Sequence, residues 1–250
     1  MVGPGPMSRV GILSDVHGNV FALEAVLEDA RRQGCETLVV AGDLVAQGPA
    51  PAETLDLLRE IEALVLIRGN TDRYLSGDGP DPAGRDPEVL ASLAWTRAEL
   101  GEEATGMLGA LPTQAVFDGG LVLHASPEGD EIGIWPEVGD EKLGSWSWEG
   151  VLACGHTHRP MLRDLGSRQV VNVGSVGWPL DGDPRPSYAV VAVDPGHPER
   201  RRVELRRVDY DRSRALAELE RRAVPWRHAV RHYIETATWR SPARYERSWS

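Results

Sequence analysis

Residues 9–32, RVGILSDVHGNVFALEAVLEDARR, decide the fold. The first six, RVGILS, form an apolar run with the length of a short buried strand. From residue 20 to 32 the apolar positions Ala22, Leu23, Val26, Leu27 and Ala30 recur at helical spacing. The D-V-H-G-N that separates them is too polar for either element, so a strand, a polar turn and a helix follow one another. Outward from this unit the pattern repeats: residues 37–41 read as a strand, 52–62 as a helix and 64–67 as a third strand. Alternation of this kind predicts a sheet with crossover helices, an α/β arrangement.

Beyond it, residues 76–87 are rich in Gly, Pro and Asp and read as a loop. A helix is expected from about residue 87 to 99 and a short one near 102–108. The second half turns β-rich, with strand-like runs at 114–117, 121–124, 151–154, 170–173, 188–193 and 203–208. Helix returns at 212–222, and after Pro225 the residues Trp226, Val230, Tyr233, Ile234 and Ala237 form one apolar stripe suited to core or subunit packing, which makes a homo-oligomer an expectation. The organisation expected is a mobile N-terminal extension over residues 1–8 and a single domain over 9–250. That domain ends in an Arg-rich helical segment at about 211–250.

The net charge of −11 argues against general nucleic-acid binding, which depends on counterion release by Lys and Arg. The charge is uneven: residues 199–250 carry 14 Arg against 8 acids, a net +6 that leaves −17 for residues 1–198. The Arg-rich end reads as a solvated helix face, with a phosphate-attracting or subunit-contacting patch as the alternative. No run of about 18 apolar residues offers a membrane span, and the first residues lack a secretory pattern. The two cysteines, Cys35 and Cys154, have no Cys-x-x-Cys spacing, which suggests a reducing, cytoplasmic setting.

Asp15 and His17 stand just past the first strand, Asp43 past the second and Asn70 past the third, each in a turn containing glycine. In open α/β sheets the carboxyl ends of parallel strands are where sites form, so three turns bring their ligand atoms to one crevice. Gly18, Gly42 and Gly69 allow those turns to be tight. The second half adds His124 after one strand and His156 and His158 after another. Carboxylates, imidazoles and an amide without thiolate suit Mn, Fe, Co, Ni or Zn, and a cluster of two ions is the natural reading.

Five blocks in order, S-D-V-H-G-N at 14–19, G-D at 42–43, G-N-T-D at 69–72, H-A-S-P at 124–127 and G-H-T-H at 155–158, resemble the calcineurin-like metallophosphoesterases, the likeness covering roughly residues 9 to 180. It leans toward the small bacterial and archaeal phosphodiesterases and the protein-phosphatase-like and diadenosine-tetraphosphatase-like branch. The resemblance implies a four-layer sandwich of two mixed β-sheets flanked by helices. It also implies two divalent ions, with Mn favoured: Asp15, His17 and His158 on the first, Asn70, His124 and His156 on the second, and Asp43 between them. The ions would share a hydroxide that attacks phosphorus in line, with Asp43, His17 and Asn70 as the catalytic ligands.

Many members of that family have His after the Asn of the third block, placed to protonate the leaving oxygen; this chain has Thr71. Thr is a poor general acid, which directs the expectation to esters with good leaving groups and to a phosphodiesterase acting on a small, nucleotide-like phosphoester. A phosphomonoesterase or protein phosphatase, a dinucleoside-polyphosphate hydrolase and a non-catalytic metal-binding scaffold are the alternatives. Asn19, Arg68 and Asp72 flank ligand turns and are candidates for substrate contact. Asn172, Gly174 and Ser175 resemble the family's turn behind the metals and are expected to be structural. Trp135, Trp146 and Trp148 are expected to cover core, with a wall over the site as the alternative. Cys154, His197, His228 and His232 are read as packing or surface residues.

Overall fold

A computed structural model describes residues 7–79 and 86–239 of the 250-residue chain. Its elements are β1 (Ser8–Leu13), α1 (Val20–Arg32), β2 (Thr37–Ala41), α2 (Pro51–Arg59), β3 (Leu64–Ile67), α3 (Asn70–Leu75), α4 (Pro87–Gly109), β4 (Gln114–Phe117), β5 (Gly120–Leu123), α5 (Asp140–Gly144), β6 (Val151–Cys154), β7 (Met161–Asp164), β8 (Gln169–Asn172), β9 (Ser187–Asp194), β10 (His197–Arg207), α6 (Arg212–Arg221) and α7 (Arg227–Thr236). The two helices expected at 87–99 and 102–108 join in α4, which kinks at Gly101 with φ +79. Ser8 pairs with Val193 and opens β1, so the extension expected over 1–8 is shorter by that residue; its residues 1–6, and 240–250 of the Arg-rich end, lie outside the described residues.

Two five-stranded mixed sheets carry the fold, in orders β10-β9-β1-β2-β3 and β4-β5-β6-β8-β7. In the first, β1, β2 and β3 are parallel and β9 and β10 close one side antiparallel; in the second, β5, β6 and β8 are parallel between antiparallel β4 and β7. Val10, Ile12, Val39, Ala41 and Ile67 of one sheet meet Val122, Val151, Ala153 and Val171 of the other in a shared apolar layer. Burial on both faces explains why these strands read as continuous apolar runs rather than alternating ones.

Helices α1, α2 and α4 cover the outer face of the first sheet. The stripe of α1 lays Val20, Ala22, Leu23, Val26 and Ala30 onto it, each full burial of a Val or Leu contributing about 1.5–3 kcal/mol. The outer layer of the second sheet is thin, with Ile134, Leu143, Trp146 and Trp148 from residues 128–150 and the single short helix α5. Trp146 and Trp148 therefore cover core as expected, whereas Trp135 is exposed. Helices α6 and α7 form a satellite on the first sheet's flank, where Val230, Tyr233 and Ile234 pack around Trp178. The C-terminal stripe is thus an intramolecular core. That removes the ground on which a homo-oligomer was expected, because the stripe is covered by the chain itself.

Four of the described arginines of this end are tied to acids: Arg206 to Asp29 and Glu204, Arg222 to Glu53, Glu99 and Glu218, Arg227 and Arg231 to Glu220. Ion-paired faces of this kind present little free positive charge to a phosphate. Among the described residues no helix is long and apolar enough to cross a membrane.

Candidate metal centre

Five of the six parallel strands end in a turn that delivers a polar residue to one crevice between the sheets. β1 delivers Asp15 and His17, β2 Asp43, β3 Asn70, β5 His124 and β6 His156 and His158. Five of the seven lie in the left-handed backbone region: Asp15 at φ +53, His17 at +46, Asp43 at +54, His156 at +68 and His158 at +56. Such conformations are uncommon outside glycine and cost of the order of 1–3 kcal/mol each, so the surrounding packing is holding strained backbone where the ligands converge.

Glycine is required where two ligand turns touch. At Gly42, φ is +85 and a Cβ would stand 2.5 Å from the nitrogen of Gly69 and 2.8 Å from Nδ1 of His124. Gly69 has an ordinary φ of −92 and is needed for space alone, since a Cβ there would fall 2.2 Å from Oδ1 of Asp43. The expectation that Gly69 serves turn conformation is corrected accordingly.

Three imidazoles are anchored from behind. Nδ1 of His17 lies 3.0 Å from the carbonyl of Ala46, Nδ1 of His124 2.7 Å from that of Ala41, and Nδ1 of His158 2.9 Å from that of Trp178. Because a carbonyl only accepts, Nδ1 carries the hydrogen and each Nε2 turns its lone pair into the crevice. There Nε2 of His17 and His158 face each other at 3.2 Å, and Oδ1 of Asp15 lies 3.2 Å from the latter and 3.9 Å from the former. On the other side Oδ1 of Asn70 sits 2.9 Å from Nε2 of His124 and 3.1 Å from Nδ1 of His156. Asp43 stands between, with Oδ2 3.6 Å from His17 and Oδ1 3.5 Å from His124.

Burial pushes the imidazoles of His17 and His156 down to about 4, which leaves them neutral and available as ligands near neutral pH. At Asp15, burial acts to raise the carboxyl, but the imidazole of His158 and those of His124 and His17 outweigh it and hold the group well below the usual carboxylate range. Burial likewise opposes protonation of His158 and His124 and is outweighed there, by Asp15 at His158 and by Asp43 and Asp15 at His124, so both are raised.

The donor set fits divalent cations. Oδ1 of Asp15 is buried without a hydrogen-bond partner, and two imidazole lone pairs oppose each other at 3.2 Å. A cation between these atoms relieves both, and carboxylate, imidazole and amide are ligands for borderline ions. Asp15, His17 and His158, and separately Asp15, Asp43 and His124, bring one ligand atom each within 4.8 Å of one another.

The three residues expected to contact substrate separate. Asn19 is fully buried and committed: Oδ1 caps α1 by accepting from Ala22, and Nδ2 donates to the carbonyl of Gly177 and to Tyr210. Asp72 is also fully buried, its carboxylate accepting from the backbone N–H of Gly69, Asp43 and Leu44, while burial and then the charge of Asp43 push it up to about 7. Both are corrected from substrate contacts to holders of the turns. Only Arg68 lines open space, a cavity of about 350 Å³ shared with His124, Ser126 and Arg73.

Asn172 ties the G-H-T-H turn by donating to Gly155 and Thr157, and Ser175 donates to the carbonyl of Asp15, so both are structural. Trp178 was not anticipated. Its ring lies 4.3 Å from that of His17 and 4.4 Å from that of His158, and no spacing rule connects a tryptophan after β8 to ligands after β1 and β6.

Residues 8–196 match the family model of the calcineurin-like phosphoesterase superfamily domain. An uncharacterized protein of Methanocaldococcus jannaschii is 25% identical over 239 residues, 87% of this chain and 94% of that protein. Phosphodiesterase YfcE of Escherichia coli K12 is 27% identical over 197 residues, 75% of this chain and 89% of its own. The crystal structure of a metallophosphoesterase from Sphaerobacter thermophilus superposes with a TM-score of 0.75 at 28% identity, covering 92% of this chain and 99% of that one.

Proposed function

Because the chain belongs to the calcineurin-like phosphoesterase superfamily and is a phosphoester hydrolase, we propose that it is a dinuclear-metal phosphodiesterase acting on a small phosphoester, with a nucleotide-like diester as the substrate class. The observation that carries this reading is Asp43, whose two carboxylate oxygens face different ligand sets, His17 at 3.6 Å and His124 at 3.5 Å. Asp15, His17 and His158 would hold one ion and Asn70, His124 and His156 the other, with Asp43 placed to serve both. Two ions in such a site lower the pKa of a water and neutralise charge on phosphoryl oxygens. Mn fits the mixed oxygen and nitrogen donors, with Fe, Ni, Co and Zn as alternatives.

The protein's part is orientation. Thr71 donates its backbone N–H to Oδ1 of Asp43, and its hydroxyl is buried without a partner. No proton for a leaving group comes from that position, which supports esters whose leaving oxygen needs little assistance. Arg68, on the wall of the cavity beside His124, is the residue proposed to contact the substrate's anionic part. Cys35 and Cys154 are free thiols, which supports a reducing, cytoplasmic setting.

The test is hydrolysis of bis(p-nitrophenyl) phosphate and p-nitrophenyl phosphate by metal-stripped protein with Mn²⁺ or Ni²⁺ restored, beside Asp43→Asn. Metal-dependent turnover of the diester, lost in the variant, is the expected result. Turnover of the monoester alone would replace this reading with a phosphatase.

A further inference from the structure

The helices α6 and α7 lie beyond residue 196, outside the stretch that matches the superfamily domain, yet their core reaches the candidate metal centre. Resting on the two-metal reading above, we propose that Trp178 and Tyr233 form an aromatic brace by which this C-terminal unit positions the imidazoles of His17 and His158, and with them the first metal site.

Three sets of contacts carry it. The indole of Trp178 lies against both imidazoles, with ring centroids 4.3 and 4.4 Å away. Its other ring contacts are with the C-terminal unit: Tyr233 of α7 stacks on it at 5.0 Å and 17°, Trp226 meets it edge-on, and Trp239 stacks on Tyr233 at 5.6 Å and 12°. The backbone of the same segment is bonded to the turns that bear the ligands. The carbonyl of Trp178 accepts from Nδ1 of His158, Gly177 donates to the carbonyl of Asp15, and Leu180 donates to that of His158. Ser175 donates from its hydroxyl to the carbonyl of Asp15 and accepts from the N–H of Trp178.

His17 and His158 both sit in strained left-handed backbone, and each ring is tied at Nδ1 to one carbonyl, which leaves rotation about that bond to be limited by packing. An indole set against them at tilts of 36° and 52°, itself fixed by a helix, supplies that second constraint. Burial alone does not explain the choice of side chain. Nε1 of Trp178 is buried without an acceptor, a cost that a leucine or phenylalanine would avoid. Rules of local satisfaction are broken in this way where a residue serves a site. Trp178 and Tyr233 are therefore positioning residues, acting on the metal through the ligands they hold.

The experiment is calorimetric titration of the metal-stripped full chain with Mn²⁺, in competition with a chelator, for the wild type, Trp178→Leu, Tyr233→Leu and Tyr233→Phe. The wild type is expected to take up two ions. Both leucine variants should weaken one of the two sites about 10–100-fold, the range for losing a partner that orients a ligand, and leave the other unchanged, while Tyr233→Phe keeps both. If Tyr233→Leu does not fold, Tyr233→Met, whose unbranched chain adapts to an irregular gap, also removes the stack and is read in its place. Two ions bound by the variants as tightly as by the wild type would overturn the brace alone. So would equal weakening of both sites in step with lost thermal stability, the mark of a merely structural role. A wild type that holds no ion would overturn the two-metal reading and the brace with it.

Discussion

The carboxylate of Asp72 accepts the backbone N–H of Asp43 at 2.9 Å, so the turn after β3 holds the turn after β2. The same group accepts from Leu44 at 3.0 Å and Gly69 at 2.9 Å. Three donors converge on one buried acceptor, and the residue they steady is the carboxylate that faces both ligand sets. The acid of the G-N-T-D block is thus spent on backbone rather than on substrate.

Asp72→Asn should therefore weaken metal binding without touching a ligand. The amide keeps one oxygen but turns an NH₂ toward a backbone donor, and leaving that buried donor unsatisfied should cost about 1–3 kcal/mol. Chemical denaturation would show the lower stability, and Mn²⁺ titration the weaker uptake. Wild-type values in both would refute the role given to Asp72.

Gly69→Ala tests the close approach directly. A Cβ 2.2 Å from Oδ1 and 2.4 Å from the nitrogen of Asp43 cannot be absorbed by a flexible side chain, because one contact is backbone and the other is a short carboxylate held by the Thr71 N–H. Overpacking at this scale costs about 1–3 kcal/mol, and the displaced carboxylate should abolish metal-dependent hydrolysis. An active Gly69→Ala enzyme would show that the two turns have room to part.

Cations that bind only the folded chain should stabilise it. At a free Mn²⁺ concentration of about 100 times the dissociation constant, each site adds about 2.7 kcal/mol, visible as a higher melting temperature that EDTA reverses. Asp43→Asn should lose most of that gain. Equal melting temperatures with and without the ion would leave the facing lone pairs of His17 and His158 without their proposed partner.

The parallel-strand core and the convergence of the seven candidate ligands were legible because each strand is a continuous apolar run and each of these residues stands in the polar turn that ends it. The short polar elements were not: β7, Met161–Asp164, and α3, Asn70–Leu75, are too brief for a period to register. Asn19 carried a readable signal, since Asn immediately before a helical stripe marks an N-cap, and its motif position drew attention from it. Asp72 likewise stands three residues after Gly69 at the first turn of α3, a capping position. Trp178 had no such signal. Its role depends on which elements the tertiary fold places on either side of it, and that is not local information.

Asp29 gives the fold a pH dependence separate from the metal centre. Nearly buried in α1, it accepts from the hydroxyl of Tyr188 at 2.7 Å and from Nε of Arg206 at 2.8 Å. Burial acts to raise this carboxyl, but the bonds from Arg206 and Tyr188 outweigh it and the group is held below its ordinary value of 3.8. A depressed folded-state value means that the stabilisation is complete above 3.8 and is lost as pH falls through the folded value. Asp29→Asn should thus be less stable than the wild type at neutral pH, by about 1.5–3 kcal/mol for bonds to a charged group, with the gap narrowing below pH 3.8. Urea denaturation of both proteins across acid pH measures the gap. A difference that stays constant through that range would mean that Asp29 acts through packing rather than charge.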